Sequence, residues 1–337
     1  MKNLRFLRSP GFWVGLVVIV LLFAIPYVVT TTYYIFVLIT IFMGTAMAAS
    51  WNLCAGYTGI VPFGNIAFFG IGAYTVGILW LKLGVPPLAG VILGGLMAVV
   101  FALAIGYPCL RLRGAYFAIA TLGLMEATNV VAGNWRGLTG GALGLSLPVR
   151  NPSILPHYYG LLILASLAIL TTLWISRSKF GLGLLAIRED QDAAEMSGVN
   201  TTWYKIAVFA INGLFTGVAG GFWAYYLPYI DHTILFSHEE NILLIVMAMF
   251  GGMGTVLGPA VGAAAIVVIN QMLTVYLPSL VPAQLSRLAS YLPVIMYGFL
   301  LILMVLFMRG GLLGLFTSLA RKVSGSRREE QHAAASG

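Results

Sequence analysis

Residues 88–110 read LAGVILGGLMAVVFALAIGYPCL and contain no charged side chain. A run of this length exceeds the ~20 apolar residues that cross the hydrocarbon core of a bilayer as a helix. It also lacks the alternation of apolar and polar residues that is typical of a membrane barrel strand. The chain is 60% hydrophobic and 8% charged, whereas about a quarter of the residues in a soluble domain are charged. The sequence therefore predicts an all-α, polytopic transmembrane helical bundle.

Turn residues and charges divide the chain into about ten candidate spans, within a range of about eight to eleven. They are residues 12–30, 33–54, 66–82, 88–110, 114–132, 158–176, 204–228, 240–257, 259–277 and 290–308. When the N-terminus is placed inside, all of the 18 Lys and Arg residues except four fall on the inner side. The exceptions are Lys82, Arg136, Arg150 and Arg287. This positive-inside bias predicts that both termini are cytoplasmic.

The same threading predicts the domain organisation. We expect a cytoplasmic N-terminus at residues 1–11, a transmembrane domain over 12–308, and a cytoplasmic, disordered tail at 309–337. One long cytoplasmic loop is expected at about 177–203. The first apolar run is interpreted as a retained span, because it is long and has no clear small-residue cleavage site. The net charge of +8 follows mostly from this topology, so nucleic-acid binding is not predicted.

Several motifs of enzymes and metal proteins do not occur in the sequence. No lysine follows a glycine, so the phosphate-binding loop GxxxxGK[ST] cannot form, and neither HExxH nor GxSxG occurs. The four histidines are predicted to lie in loops or in the tail: His157, His232, His238 and His332. Cys54 and Cys109 are interpreted as packing residues. The sequence thus predicts neither catalysis, nor a metal site, nor a cofactor bound by this chain.

Two glycine-rich runs interrupt the apolar pattern. GYTGIVPFGNIAFFGIGAY, residues 56–74, predicts either a broken helix beside a pathway or close helix packing through small residues. FGGMGTVLGPAVGAAA, residues 250–265, has Gly254, Gly258 and Gly262 at four-residue spacing on one helix face, with Pro259 interrupting or starting a helix. The two runs are too dissimilar to establish an internal repeat.

Glu126 lies within a predicted span, in FAIATLGLMEATNVV, residues 117–131. A carboxylate in hydrocarbon costs about 2.5–3.5 kcal/mol on insertion scales, so we expect it to face the protein interior, a partner or water. The alternatives are a span that ends earlier and a neutral structural carboxylic acid. In the following LTGGALGL, residues 138–145, Gly140 and Gly141 either offer backbone N–H donors to an anion or form an ordinary turn.

A cluster of charges stands out in GLGLLAIREDQDAAEMSG, residues 181–198. It carries five charged residues between two apolar stretches: Arg188, Glu189, Asp190, Asp192 and Glu195. Alanines between these charges predict a short helix that docks closely against another protein, with the charges selecting the partner. A solvated loop helix is the alternative.

Four motifs together carry a family resemblance, which runs from about residue 45 to 308. They are SWNLCAGYTGIVPFGNIAFFGIGAYTVG, LRLRGAYFAIATLGLMEATNVVAGNWRGLTGGALGL, GLGLLAIREDQDAAEMSGVN and MAMFGGMGTVLGPAVGAA. In this order and spacing they resemble the inner-membrane permease subunits of branched-chain amino-acid ABC importers. The likeness is greatest to the longer of the two permeases in such systems.

The resemblance implies a set of partners. These are a second, related permease that forms a heterodimer with this chain, two cytoplasmic ATPase subunits that bind ATP and Mg²⁺, and an extracytoplasmic solute-binding protein. It also implies alternating access of a pathway across the bilayer of the inner membrane, driven by ATP hydrolysis in the ATPase subunits.

Three sets of residues are given roles: the resemblance implies the ATPase-coupling set, whereas the glycine runs, their spacing and Glu126 themselves favour the pathway and helix-packing sets. ATPase coupling is assigned to Leu184, Ala186, Arg188, Glu189, Asp190, Ala193, Ala194, Glu195 and Gly198. The translocation pathway is assigned to Gly56, Thr58, Gly59, Phe63, Gly64, Asn65, Glu126, Thr139, Gly140 and Gly141. Helix packing is assigned to Gly251, Gly252, Gly254, Gly258 and Gly262.

The chain departs from the family pattern at three places. Asn65 stands where the family has His, Asn129 stands where it has an Arg that would pair with Glu126, and Ala142 and Leu143 follow the Thr-Gly-Gly turn. A branched-chain amino acid is the expected substrate, but these changes keep urea, short amides and small organic acids open. Two rivals remain: a proton-coupled secondary transporter that uses Glu126, and a membrane scaffold without a pathway.

Overall fold

The computed structural model describes residues 10–29, 31–148 and 154–280, together with residues 295–296, 298–299, 302–303 and 311. The long helices are α1 Pro10–Val28, α2 Thr32–Asn52, α3 Ile66–Leu83, α4 Pro87–Cys109, α5 Ala115–Asn134, α7 Leu155–Ser176, α10 Thr201–Tyr226, α12 His238–Gly251 and α13 Gly258–Leu280. The short helices are α6 Arg136–Thr139, α8 Lys179–Glu189, α9 Gln191–Met196 and α11 His232–Leu235. A π-helical turn, Leu53–Tyr57, extends α2, and a 3-10 turn occupies Gly141–Leu143.

Two strands of two residues each form an antiparallel pair. Strand β1 is Leu145–Ser146 and strand β2 is Tyr229–Ile230, with Leu145 opposite Ile230 and Ser146 opposite Tyr229. This pair joins the segment after α6 to the segment after α10.

Within the described residues, seven helical segments are long and apolar enough to cross a membrane: Thr32–Tyr57, Ile66–Leu83, Pro87–Cys109, Ala115–Asn134, Leu155–Ser176, Thr201–Tyr226 and His232–Gly251. The expected all-α, polytopic fold is thereby confirmed. Nine of the ten predicted spans overlap a long helix, and the tenth, 290–308, lies largely outside the described residues.

The predicted span 240–257 is misplaced along the chain. Helix α12 ends at Gly251 and has 14 residues, which is about 21 Å of helix and short of the ~30 Å hydrocarbon core. The helical path instead begins earlier, in α11, and is interrupted at Phe236 and Ser237. Residues 252–257 form a turn before α13.

Helices α3, α4 and α10 pack against one another, and α10 approaches the backbones of the other two closely. A Cβ atom added at Gly72 would lie 1.9 Å from the carbonyl oxygen of Gly217, and one at Gly220 would lie 2.0 Å from that of Phe69. Lipid tails are as apolar as the helix surface, so such close packing, rather than apolar burial, holds helices together in a membrane. The small residues of 56–74 therefore serve packing as well as the helix break described below.

A buried polar network joins α2, α10 and the residue preceding α3. Ser50 Oγ donates to Asn212 Oδ1 at 3.1 Å, and Asn65 Nδ2 donates to Thr216 Oγ1 at 3.1 Å. Asn212 Nδ2 also donates to Asn65 Oδ1. All four side chains are buried, and their mutual bonds avoid the cost of unpaired polar groups at low dielectric.

The packing of α3 against α10 can be tested with Gly72→Ala. We expect the purified chain in detergent to lose about 1–3 kcal/mol of stability, because the added methyl group meets backbone atoms that cannot move aside. Gly123→Ala in α5 is the matched control, since an added Cβ meets nothing within 4 Å there. Equal thermal unfolding midpoints for the two variants would contradict the packing argument.

Candidate functional site

The break between α2 and α3 is the first element of the candidate site. Helix α2 ends in the π-helical turn, residues 58–65 are largely non-helical, and Gly59 has a φ of +73°. Helix α5 shows the depth of this loop: Thr121, which bonds to it, lies six residues into the helix, about 9 Å from its start. The predicted broken helix is thus present inside the bundle.

Side chains from three helices pair with the backbone of this loop. Trp51 Nε1 donates to the carbonyl oxygen of Pro62 at 2.9 Å, and Thr121 Oγ1 accepts from the N–H of Phe63 at 3.0 Å. Asn241 Nδ2 donates to the carbonyl oxygen of Phe63. Irregular backbone at membrane depth is tolerated only where such partners replace the missing helical bonds.

The predicted pathway residues of this loop divide into buried and exposed groups. Gly56, Thr58, Gly64 and Asn65 are buried inside the chain, where they pack or form hydrogen bonds. A Cβ at Gly64 would lie 1.8 Å from the carbonyl oxygen of Thr121, so this glycine permits close packing. Gly59 and Phe63 are exposed, and a pathway-lining role stays a prediction for all six residues.

Glu126 lies about midway along α5 and has a partner that the sequence did not indicate. Its Oε1 atom is 2.6 Å from Nε2 of His238, the first residue of α12. Asn129 leaves Glu126 without the arginine of the family pattern, and His238 from α12 lies beside the carboxylate instead. Both side chains remain partly exposed, at 42% for Glu126 and 59% for His238.

Two more carboxylates follow His238 in the first turn of α12. Glu239 and Glu240 are both exposed, at a helix N-terminus, where the macrodipole favours negative charge. Ionisable groups at this depth are costly in hydrocarbon. This face of α5 and α12 must therefore contact water or another polypeptide.

A second polar contact extends this face toward the C-terminal end of α5. Asn129 Oδ1 lies 2.9 Å from Nδ1 of His232, at the start of α11. An open cleft of about 200 Å³ lies here, lined by Asn129, Val130, Gly133, Asn134 and His232. Glu126, Asn129 and Gly133 follow helical spacing on α5. We call the surface formed by Glu126, Asn129, His232, His238, Glu239 and Glu240 the polar groove.

The Thr-Gly-Gly segment forms a turn after α5. Thr139 is buried, and its Oγ1 lies 2.6 Å from the carbonyl oxygen of Ala132 and accepts from the N–H of Gly141. Gly140 and Gly141 have φ values of +78° and +59°, which favour glycine. Of the two interpretations made from the sequence, this geometry favours the ordinary turn for Thr139, Gly140 and Gly141.

The charged segment 177–203 contains two short helices with polar caps. Ser178 accepts from the N–H of Gly181 at 3.1 Å at the start of α8. Asp190 interrupts the helix and caps α9 by accepting from the N–H groups of Asp192 and Ala193. The predicted short helix is therefore a helix pair, which ends before Gly198 at a φ of +85°.

Burial divides the residues that the family resemblance assigned to ATPase coupling. Leu184 is 0% exposed and Ala194 is 4% exposed, so both pack inside this chain. Among residues 184–196, the exposed side chains without a hydrogen-bond partner in the described structure are those of Leu185, Ala186, Glu189, Ala193 and Met196, which is 91% exposed; Arg188, Asp190, Asp192 and Glu195 are also exposed but are bonded within the chain. We call the first five residues the docking face.

Most charges of the helix pair are engaged within the chain. Arg113 forms two hydrogen bonds to Asp192, at 2.8 and 3.1 Å, and thereby ties α9 to the turn between α4 and α5. Arg188 Nη1 donates to the carbonyl oxygen of Gly56 at 2.7 Å. Glu195 accepts from Thr201 and from Gln191. Of the five charged side chains, only Glu189 has no partner among the described residues.

Hydrogen bonds also determine how these groups titrate. The bonds from the Arg113 guanidinium hold the pKa of Asp192 below its usual value, and the bonds from Thr201 and Gln191 do the same for Glu195. Both carboxylates are therefore charged at neutral pH. Their contribution to stability is present above the ordinary carboxyl pKa of about 4 and is lost as the pH falls through the lowered values.

The second glycine-rich run forms the turn between α12 and α13. A Cβ at Gly251 would lie 1.7 Å from the carbonyl oxygen of Gly258, and one at Gly262 would lie 1.9 Å from that of Met247. Gly252 and Gly254 have φ values of +119° and +75°. These contacts support the predicted packing role, and Pro259 lies in the first turn of α13 rather than interrupting a helix.

The two glycine-rich runs meet at this turn, which the sequence did not predict. Asn52 Oδ1 accepts from the N–H of Gly254 at 2.8 Å, and Asn52 Nδ2 donates to the carbonyl oxygen of Thr255 at 2.9 Å. The end of α2 is thereby fastened to the start of the α12–α13 turn.

The histidine prediction needs correction. His157 lies in α7, where it is 1% exposed and stacks on Tyr225 with ring centroids 4.4 Å apart. His232 and His238 begin helices rather than lie in loops, and His332 lies outside the described residues. Cys54 is buried and Cys109 partly buried, and both are free. Among the described residues, no group of His, Cys, Asp or Glu could hold a metal ion.

The broken helix, the polar groove and the helix pair outside the bundle together define a transport permease. The chain belongs to the family described as branched-chain amino acid transport system / permease component, whose model matches residues 33–308. It is a multi-pass protein of the inner membrane, and it is the permease component of its transport system.

Curated relatives agree with this assignment. The chain is 27% identical over 311 residues to the high-affinity branched-chain amino acid transport system permease protein LivM of Escherichia coli, covering 83% of this chain and 70% of the relative. A probable LivM of Methanocaldococcus jannaschii is 24% identical and covers 68% of this chain and 78% of the relative. The fructose import permease protein FrcC of Rhizobium meliloti is 27% identical but covers 54% of each chain. No solved structure matches the chain significantly.

The loop that breaks the helix can be tested with Thr121→Val. Removing the hydroxyl leaves the N–H of Phe63 without this partner, which would cost about 1–3 kcal/mol for a fully buried donor and less for this partly buried one. We expect faster hydrogen exchange of residues 58–65 and a lower unfolding midpoint. Thr128→Val is the matched control, since Thr128 on the same helix bonds only to its own helix, at the carbonyl oxygen of Leu124. Unchanged exchange in Thr121→Val would show that this bond does not hold the loop.

Proposed function

We propose that this chain is the membrane subunit of an ABC importer that moves a branched-chain amino acid inward, with ATP hydrolysed in separate subunits. The family match over residues 33–308 carries the proposal, because it includes the broken helix, the polar groove and the helix pair. The permeases that match the larger share of this chain are those named for branched-chain amino acids. The sugar permeases FrcC and XylH match smaller shares.

The proposed sidedness is supported by contacts at both ends of the bundle. At one end, Arg113 pairs with Asp192, which brings the α4–α5 turn to the helix pair. At the other end, Lys82 donates to the carbonyl oxygen of Gly137, and β1 pairs with β2. The first end is the basic, cytoplasmic side in the proposed topology of about ten spans with both termini inside.

The docking face provides the proposed contact with a cytoplasmic ATPase subunit. It combines exposed apolar and small side chains with the unpartnered carboxylate of Glu189, at the tip of a helix pair that the chain itself holds in place. ATP and Mg²⁺ are bound by that partner in this proposal.

The polar groove is the proposed wall of the pathway. It lies on α5 and on the start of α12. In the most apolar 18-residue window of α5, 22% of the residues are buried inside the chain. A second, related permease that covers this face in a heterodimer would enclose a polar path between the two subunits. An extracytoplasmic solute-binding protein would deliver the substrate to its outer end.

ATPase docking can be tested with Glu189→Lys combined with Ala193→Glu. The charge reversal and the added carboxylate oppose the proposed contact, so we expect the ATPase subunits to be lost when the permease is purified. Arg111→Gln is the control, because Arg111 lies at the same end of the bundle and stacks on Tyr107, away from the docking face. Copurification of the ATPase at the wild-type level would exclude the docking face as the contact with the ATPase.

The polar groove can be tested with Glu126→Gln in proteoliposomes that contain the whole complex. We expect slower ATP-driven leucine uptake with the complex intact, because the variant removes the charge that pairs with His238. Unchanged uptake would contradict a groove that lines the pathway.

The same vesicles separate the alternative functions. ATP-driven uptake of urea or of a short amide, but not of leucine, would identify that compound as the substrate. Uptake by the lone chain under a proton gradient, lost in Glu126→Gln, would identify a secondary transporter. Uptake under neither condition would favour a scaffold.

A further inference from the structure

Arg188 points from the helix pair into the membrane domain. Its Nη1 atom donates to the carbonyl oxygen of Gly56, 132 residues earlier in the chain, at 2.7 Å. The side chain also covers two other glycines: a Cβ at Gly59 would lie 3.4 Å from Arg188 Cγ, and one at Gly254 would lie 3.1 Å from Arg188 Nη1. The family resemblance assigned this residue to contact with the ATPase, whereas its hydrogen bond is made within the chain.

Three segments of the chain converge at this guanidinium. They are the π-helical end of α2, the last turn of α8, and the turn between α12 and α13. A Cβ at Gly56 would lie 2.1 Å from Asn52 Oδ1 and 2.4 Å from the backbone nitrogen of Gly254, so the backbones touch. Asn52 fastens the same two segments through its bonds to Gly254 and Thr255. We call Asn52, Gly56, Arg188, Gly254 and Thr255 the arginine junction.

The two membrane segments of the junction have irregular backbone. Single π-helical turns such as Leu53–Tyr57 are rare in helices and are found frequently at functional sites. Gly254 has a φ of +75°, and the five residues from 252 to 256 are non-helical. Each segment also leads directly to the candidate pathway: α2 to the broken loop, and α12 back to His238.

We propose that Arg188 is a positioning residue that transmits movement of the helix pair to both glycine-rich segments at once. This rests on the proposed function, in which an ATPase moves the docking face. A charge-assisted bond from a guanidinium to a carbonyl is stronger than a neutral one, and its planar donor set reaches Gly56 while covering Gly254. When α8 moves, Arg188 displaces the end of α2 and, through Asn52, the α12–α13 turn.

The test uses the complete importer in proteoliposomes, with Arg188→Gln, Arg188→Lys and the control Arg111→Gln. For each we would measure the ATPase that copurifies, the rate of ATP hydrolysis, and the leucine taken up per ATP. We expect Arg188→Gln to keep its ATPase and hydrolyse ATP but to lose about tenfold in uptake per ATP, the effect of one charged hydrogen bond. Arg188→Lys retains a cationic donor and should recover part of the loss.

Hydrogen exchange gives a readout that does not depend on transport. In Arg188→Gln, we expect faster exchange at both Leu53–Tyr57 and residues 252–257, and wild-type exchange at these segments in Arg111→Gln. A change in one segment alone, or in neither, overturns the inference.

The outcomes separate this inference from the proposed function. Loss of the ATPase from Arg188→Gln at the level of the docking-face variant would make Arg188 a partner contact and overturn the inference. Wild-type uptake per ATP in Arg188→Gln would also overturn it while leaving the importer intact. If the wild-type complex shows no ATP-driven uptake, the proposed function fails, and the two exchange measurements still decide whether Arg188 links the segments.

Discussion

The backbone of a broken helix inside a membrane must find hydrogen-bond partners, and the rest of this structure depends on that constraint. Residues 58–65 have lost their helical bonds, and Trp51, Thr121 and Asn241 replace part of them. These three side chains lie on α2, α5 and α12. The hydrogen bonds that the loop backbone requires therefore constrain the relative positions of these three helices. The same arrangement brings His238, three residues before Asn241, to Glu126.

Glycine serves two purposes, which differ in their structural consequence. Gly72, Gly217 and Gly220 lie in helices and allow backbones to touch, so they make α3 and α10 one rigid unit. Gly59 and Gly254 have positive φ values outside helices and let the chain turn. The side chain of Arg188 covers both Gly59 and Gly254, where the membrane domain meets the helix pair. Rigid packing and conformational change are thus assigned to different glycines, and Gly59 and Gly72 show both uses within one run.

Composition and local pattern predicted the helical bundle, its nine long described helices and a short helix around Ala186, and they offered a break within residues 56–74 as one of two alternatives. They failed where a residue's role depends on distant partners. The predicted span 240–257 overran α12 because the apolar pattern continues past Gly251 into the glycine-rich turn; the polar stretch SHEEN, residues 237–241, was the available signal for an earlier start. The charges at 188–195 were interpreted as a partner surface, although the structure uses four of the five internally. No local pattern shows that Arg188 meets Gly56, since 132 residues separate them.

The departures from the family pattern were taken to weaken the expectation of an amino-acid substrate, and the structure changes that argument. Asn65 is fully buried and bonded to Asn212 and Thr216, so its identity concerns the packing of α3 and α10. Asn129 does leave Glu126 without an arginine, but His238 supplies a protonatable partner from another helix, and Asn129 itself contacts His232. Since the groove retains an acidic group beside a protonatable one, the missing arginine does not by itself argue for an uncharged solute such as urea. Of the departures, Asn129 alone lies in the polar groove, where it keeps a polar contact with His232.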